Sequence, residues 1–540
     1  MRPRTAPRLR RSTSLALLAA TTTVLTCTGL ALAAADPATP SSATEGAASE
    51  GVVGTDQGLV RGIVGDTTRT FRGIPYAAPP TGELRWRSPQ RAASWSGVRD
   101  ATKYADSCAQ SEHPVGVAST SEDCLYLDVT TPTQSRKKLP VLIWIHGGSF
   151  KNGATRIYGP DRLAAKGDLV VVQVQYRLGA FGFLANPMLD ERGRKTSGTY
   201  GLEDQQAAMR WVQRNAAAFG GDPGNVTIMG ESAGSYSVCD HLASPTAAGL
   251  FQRAIMQSGP CAQEWSPTNY AAPAARHTAE KYGRVLAAKL ECTTAACLRQ
   301  VPADRLLAAS DQAEYSPVLG GPTLPVTPAT ALRSGKVNRV PVLHGVNHDE
   351  EHGRYGAQEA ASGVQITLDE YHAELAKVFG DKADEVYARY PVTQTVPAGL
   401  ALSTALTDAL WSVPAAETNR LLSWRMPTYS FEFAGKAPWY AGLNQPKWPA
   451  GSHHLSDVAY QFDLGTIFAP LTPDQSRLAD EVIARWSAFA RTGNPNIPRG
   501  VTWPRTAPLD RTVQSLNPAG VSRTDFYADH QLAFWRMLAS

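Results

Sequence analysis

The sequence predicts an α/β fold with a largely parallel central sheet, and two observations carry that prediction. Several apolar runs are short and rich in Val, Ile and Leu: "LPVLIWIHGG", "DLVVVQVQYR", "NVTIMGES", "RAIMQSG" and "RVPVLHGVN". Such runs read as strands covered on both faces, as in parallel sheets packed between helices. Amphipathic stretches lie between some of them, and this alternation is the signature of βα units.

Along the chain, the first element is not part of the fold. "MRPRTAPRLRR" is basic, residues 15–32 are mostly Leu, Ala and Thr, and "ALAAAD" offers small-residue cleavage sites. Residues 1–35 therefore read as a signal peptide. Adjacent Arg10 and Arg11 leave twin-arginine export open beside the general route, and Thr26 before Cys27 argues against a lipoprotein anchor. Removing this segment takes away five arginines and no acidic residue, so the formal charge falls from +4 to −1. No basic excess survives that would point to nucleic acid or an anionic membrane. Residues 36–50, "DPATPSSATEGAASE", lack large apolar side chains and read as a disordered leader. The fold is expected from residue 51.

Loss of Cys27 leaves six cysteines, an even number that suits an exported, oxidised protein. Sequence alone permits fifteen pairings. Spacing favours small loops closed by Cys292 with Cys297 and by Cys108 with Cys124, which leaves Cys239 for Cys261.

The clearest helix is "EDQQAAMRWVQRNAAAFGG", in which Ala207, Ala208, Trp211, Val212, Asn215 and Phe219 recur at helical spacing. Glu203 and Asp204 suit the positive amino-terminal end, and Gly220 with Gly221 ends the helix. Segments 262–335 and 355–425 read as helix-rich excursions that wall a pocket. In open parallel sheets the chemistry gathers at the carboxyl ends of the strands.

Two such strand ends carry motifs. After "NVTIM" comes "GESAG", Gly230–Gly234, and then a stretch able to continue as a helix. This is the setting of a sharp strand-to-helix turn that exposes a nucleophile, Ser232; the turn demands small residues two places before and after it. "WIHGGSF", Trp144–Phe150, also ends a hydrophobic strand, and its glycines let backbone N–H groups approach a substrate oxygen. Gly148, Ser149 and Ala233 are the expected donors; losing one such donor costs about 2.7–4 kcal/mol of transition-state stabilisation.

At this point the chain resembles the type B carboxylesterases, the family that includes cholinesterases and some lipases. The resemblance runs through "FRGIPYAAPPTGELRW", "SEDCLYLDV", "HGGSF", "YRLGAFGFL", "GLEDQ", "FGGDPGNVTIMGESAG", "QSG" and "FARTGNPN" in order. It implies a single α/β-hydrolase domain over residues 51–540 and a Ser, acid, His order of catalytic residues. Within "GSHHLSDVAYQF", the family's spacing selects His454 as base over its neighbour His453. "LHGVNHDEEHGRY" resembles the family's G-x-N-x-D-E-G block through Gly345, Asn347, Asp349 and Glu350, which makes Glu350 the triad carboxylate; Glu351 stands where the family has glycine. Glu231 and Ser258 match positions that support the triad from behind.

The resemblance thus implies a secreted carboxylesterase that cleaves small-molecule esters through an acyl-enzyme and needs no metal or organic cofactor. A lipase for longer acyl chains is the neighbouring alternative, and a catalytically dead binding relative is an alternative of another class. The segment from Cys108 to Cys124 lacks the tryptophan with which cholinesterases hold a quaternary ammonium, which argues against acetylcholine. A metallohydrolase reading comes from His348 to His352, which spell H-x-x-E-H. That motif requires a helix, whereas Gly345 and Gly353 bracket this run and a strand leads into it, so no metal is expected there.

Overall fold

The computed structural model describes residues 51–134, 138–268, 272–436, 438–465 and 467–539. The signal peptide and leader expected over residues 1–35 and 36–50 lie outside them. The amino-terminal strands are β1 (Val52–Thr55), β2 (Gly58–Arg61), β3 (Ile63–Val64), β4 (Thr68–Pro75) and β5 (Val98–Asp100). The middle of the chain adds β6 (Tyr126–Pro132), β7 (Leu139–Ile145), β8 (Val170–Val174), β9 (Gly221–Glu231) and β10 (Arg253–Gln257). The last are β11 (Val342–Asn347), β12 (Thr428–Phe433), β13 (Val513–Asn517) and β14 (Gly520–Thr524).

Strands β1, β2 and β5 form a small sheet; the other eleven make one large sheet in the order β14-β13-β12-β11-β10-β9-β7-β8-β6-β4-β3. Pairing is parallel from β8 through β13 and antiparallel toward both edges. The five apolar runs are β7 to β11, and β7, β8 and β11 are buried along their whole length. Alternation assigns Val141, Ile143 and Ile145 to the core on one face and Leu142 and Trp144 to the core on the other. The structure has the α/β-hydrolase architecture that the resemblance implies.

Strand order reverses between β7 and β9, since later strands add on one side of this pair and β8 and β6 lie on the other. Such a switch point opens a crevice at the carboxyl ends of the strands. Ile145 at the end of β7 pairs with Gly230 near the end of β9, so the "HGGS" loop and the "GESAG" turn leave the sheet side by side.

Both predicted excursions are helical. Between β10 and β11 lie helices Arg276–Lys289, Ala295–Gln300, Ala303–Ser310 and Pro328–Ser334. Between β11 and β12 the chain forms His352–Ser362, Leu368–Phe379, Ala383–Arg389, Ala398–Thr407 and Val413–Ser423. A π-helical turn, Asp408–Ser412, joins the last two into one rod.

The helix expected from Glu203 begins three residues earlier, at Tyr200, and ends at Asn215, with Gly220 left-handed (φ 87°) after a short 3₁₀ turn. Asp204 does more than face the helix dipole. Its carboxylate accepts from Arg177 Nε at 2.8 Å and Nη2 at 2.7 Å, and from the Arg177 backbone N–H at 3.1 Å, and both side chains are buried. Deleting one partner of such a pair strands the other charge away from water. Asp204→Ala is therefore expected to lose about 3–5 kcal/mol of stability, measured by urea unfolding, whereas Asp474→Ala, which breaks an exposed pair with Arg477, should change little.

Candidate active site

Ser232 sits between β9 and the helix Ala233–Ala243 with φ 54° and ψ −124°, a strained left-handed conformation for a residue with a side chain. The flanking glycines are dictated by space. A Cβ on Gly230 would lie 2.4 Å from the carbonyl carbon of Gly234, and one on Gly234 would lie 1.9 Å from Ile145 O. The same approach binds the neighbouring loop to the turn: a Cβ on Gly147 would sit 2.7 Å from Glu231 Oε2 and 3.0 Å from Ser232 Cβ.

That loop is built from consecutive positive φ values, 101° at Gly148, 55° at Ser149 and 59° at Phe150. Gly148 O closes it by accepting from the N–H groups of Lys151 and Asn152 at 3.0 and 2.9 Å. Ala233 is the first residue of its helix, so its N–H has no acceptor within the helix. Of the three expected oxyanion donors, Ala233 adjoins Ser232 on the β9 turn, and Gly148 and Ser149 follow Gly147, which packs against that turn, on the β7 loop.

Glu350 follows β11 and His454 lies on the loop after β12. His454 Nδ1 is 2.6 Å from Glu350 Oε2, and Glu350 Oε1 accepts the Asn347 N–H at 2.8 Å. An ionised carboxylate only accepts, so this contact places a proton on Nδ1. His454 N–H also donates to Glu350 O at 3.0 Å, which fixes the two loops together. Glu351 turns elsewhere: its Oε1 accepts from Trp411 Nε1 at 2.8 Å. His453 is buried against Tyr440, with ring centroids 5.0 Å apart and Nδ1 on His454 O.

Among the described residues, no hydrogen bond joins Ser232 Oγ to His454. His454 Nε2 instead lies 3.1 Å from Glu231 Oε1, within ion-pair distance but off the line of a hydrogen bond. Burial raises the Glu231 carboxyl to about 8, against the pull of His454. For His454, burial works against the charged imidazole, but the carboxylates of Glu231 and Glu350 outweigh it and hold the pKa well above the usual value. Ser258 reaches the site through its backbone, donating N–H to Gly345 O at 2.9 Å; its buried hydroxyl has no hydrogen-bond partner among the described residues.

Two residues that sequence reasoning missed complete the surroundings. Trp411, on the π-helical turn, has its ring 4.7 Å from that of His454. Asp457, buried, accepts from Gln257 Nε2 and from Asn347 Nδ2, whose amide also donates to His453 O at 2.9 Å. Desolvation raises Asp457 to about 6. Its place three residues after His454 was the available signal.

The six cysteines stand as three bonded pairs, Cys108–Cys124, Cys239–Cys261 and Cys292–Cys297. Cys239–Cys261 ties the helix after Ser232 to the loop after β10. The H-x-x-E-H residues do not converge on a metal: the helix starts only at His352, whose Nε2 lies 3.2 Å from Thr404 Oγ1, while His348 stays in the preceding turn.

The profile of the carboxylesterase family matches residues 49–535. The chain is 34% identical over 481 residues to the para-nitrobenzyl esterase of Bacillus subtilis (strain 168), covering 84% of this chain and 92% of that one. It is 35% identical over 468 residues to the fumonisin B1 esterase of Sphingopyxis macrogoltabida, covering 84% of each. Among solved structures, a PNB esterase aligns with a TM-score of 0.74 at 30% identity, over 90% of this chain and 100% of that chain.

Proposed function

The chain belongs to the carboxylesterase family and is a carboxylic ester hydrolase, and from that premise we propose a secreted serine esterase using Ser232, His454 and Glu350. Ser232 Oγ attacks the ester carbonyl while His454 Nε2 takes its proton. Gly148, Ser149 and Ala233 N–H groups stabilise the oxyanion, and His454 then protonates the leaving alcohol and activates the water that releases the acid. The observation that carries this reading is the 2.6 Å contact of His454 Nδ1 with Glu350 Oε2 beside a serine on a strained turn. It leaves Nε2 facing the end of β9, where the imidazole exchanges Glu231 for the adjacent Ser232. Catalytic hydrogen bonds often tighten only when substrate is bound.

Export is supported by the signal-like sequence of residues 1–35 and by the three cystines. The names of the relatives support simple or aromatic esters as substrates. A panel of p-nitrophenyl esters of rising acyl length separates this reading from a lipase, which would favour the long chains. A fluorophosphonate probe tests the mechanism: its mass should appear on the Ser232 peptide. An active preparation that never takes the label would sink the proposal, and a protein inert to both ester and probe would be a binding relative.

Glu231 makes a second expectation. A base must be neutral to accept a proton, and once Glu231 ionises its charge helps keep the imidazole protonated to higher pH. Glu231→Gln should therefore move the acid limb of the kcat/KM profile downward, by about one pH unit. A limb that stays in place or moves upward contradicts this role.

A further inference from the structure

Three side chains from remote parts of the sequence meet beside β12. His348 leaves the turn after β11, Glu432 belongs to β12, and His530 follows the short helix Phe526–Asp529. One ligand atom of each lies within 4.8 Å of the other two. His530 Nε2 is 2.6 Å from Glu432 Oε1, and the rings of His348 and His530 are 5.2 Å apart. Glu432 and His530 are buried, whereas the His348 side chain is 42% exposed.

The second nitrogen of each histidine is already engaged. His530 Nδ1 is 2.5 Å from Asp408 Oδ1, and His348 Nδ1 is 2.8 Å from Asp349 Oδ1. These carboxylates are themselves held, Asp408 by the Tyr390 hydroxyl at 2.6 Å and Asp349 by the Ser452 N–H at 2.8 Å. Metal-binding histidines are oriented in this way: a carboxylate accepts a hydrogen bond from Nδ1–H and fixes the tautomer, and at His530 the Nε2 proton that now faces Glu432 Oε1 leaves to solvent as the ion takes the lone pair.

We propose that His348 Nε2, His530 Nε2 and the Glu432 carboxylate bind one zinc ion, with Asp349 and Asp408 as the orienting carboxylates. Two imidazoles and one carboxylate suit zinc, while calcium and magnesium prefer all-oxygen sets. At zinc–ligand distances of about 2.0–2.2 Å, tetrahedral ligands stand about 3.3 Å apart. His530 and Glu432 thus separate by less than 1 Å, and the His348 nitrogen, within 4.8 Å of the other two ligand atoms, closes in by up to about 1.5 Å through rotation of its half-exposed side chain. The exposed edge of His348 provides a route for the ion and room for water as fourth ligand. Such an ion clamps the turn after β11, β12 and the carboxyl-terminal segment together. Glu350 is two residues from His348 on that same turn. The site takes one histidine of the H-x-x-E-H run and rejects the other, because the second half of the donor set comes from β12 and His530.

Protein stripped with a chelator and dialysed is titrated with zinc chloride by isothermal calorimetry and, in parallel, with cobalt(II) by visible absorption. One zinc per chain is expected, with a rise in Tm and a cobalt band of tetrahedral intensity. His348→Gln, at a half-exposed position that tolerates change, should weaken zinc binding about 10–100-fold and remove the band; His277→Gln, on an exposed helix surface, should do neither. Wild-type protein that takes up no zinc, or a His348→Gln variant that binds it like the wild type, overturns the proposal. Neither readout depends on ester hydrolysis, so failure of the serine mechanism would be seen separately.

Discussion

Ser232→Ala is expected to lower kcat for a short-chain p-nitrophenyl ester by about 10⁶-fold while leaving the fold intact. The variant retains the strained φ of 54°, which alanine tolerates at a cost similar to that of serine, so lost activity reports chemistry and not unfolding. Residual hydrolysis would come from the oxyanion loop and from substrate binding alone, and KM should change far less than kcat. Retention of nearly all activity would mean that another nucleophile, or directly activated water, performs the reaction.

The adjacent glutamates should behave in opposite ways. Glu350 uses both oxygens, one on the Asn347 N–H and one on His454 Nδ1. Glutamine has a single acceptor oxygen, so in Glu350→Gln that oxygen stays with the backbone N–H and the NH₂ group faces the imidazole. This drives the His454 proton to Nε2, where it blocks the lone pair that receives the serine proton in the proposed mechanism. A loss of about 10⁴-fold in kcat is expected. Glu351→Gln keeps an acceptor for Trp411 Nε1 and loses a long contact with Arg354 and a charge that is the smallest of those acting on His454, so its kcat should stay within about tenfold of the wild type. Equal losses from both substitutions would show that the turn as a whole, and not one carboxylate, supports His454.

Strands β7 to β11 were legible because burial on both faces leaves a run of apolar residues with few interruptions. Among the strands not foreseen, β6 and β12 carry polar residues whose partners are distant in the chain. β12, "TYSFEF", buries Glu432 against His530 and Ser430 against Thr506. β6 buries Asp128, which accepts the Gly73 N–H at 2.8 Å. Read locally, such residues look like solvent-facing positions, and only the folded chain supplies the groups that satisfy them. The site divides in the same way. Ser232, Gly148 and their glycine neighbours answer to short-range geometry, which spacing records. The position of Trp411 between Glu351 and His454, and the link from Asp457 to Asn347, depend on loops from β11 and β12 meeting, which no local pattern encodes. The buried Asp204–Arg177 pair was read only as helix-dipole chemistry for the same reason.

The π-helical turn Asp408–Ser412 holds one more residue per turn than the α-helices on either side, which amounts to a one-residue insertion carried inside a continuous rod. Asp408 at its start points to His530, and Trp411 near its end packs on His454. Deleting that residue would restore an ordinary helix but rotate everything beyond the deletion by about 100° relative to everything before it. Either Asp408 or Trp411 could then keep its partner, not both. The extra residue thus lets a single rod hold the ring beside His454 and the carboxyl-terminal segment at once, so neither contact can shift along the helix without disturbing the other.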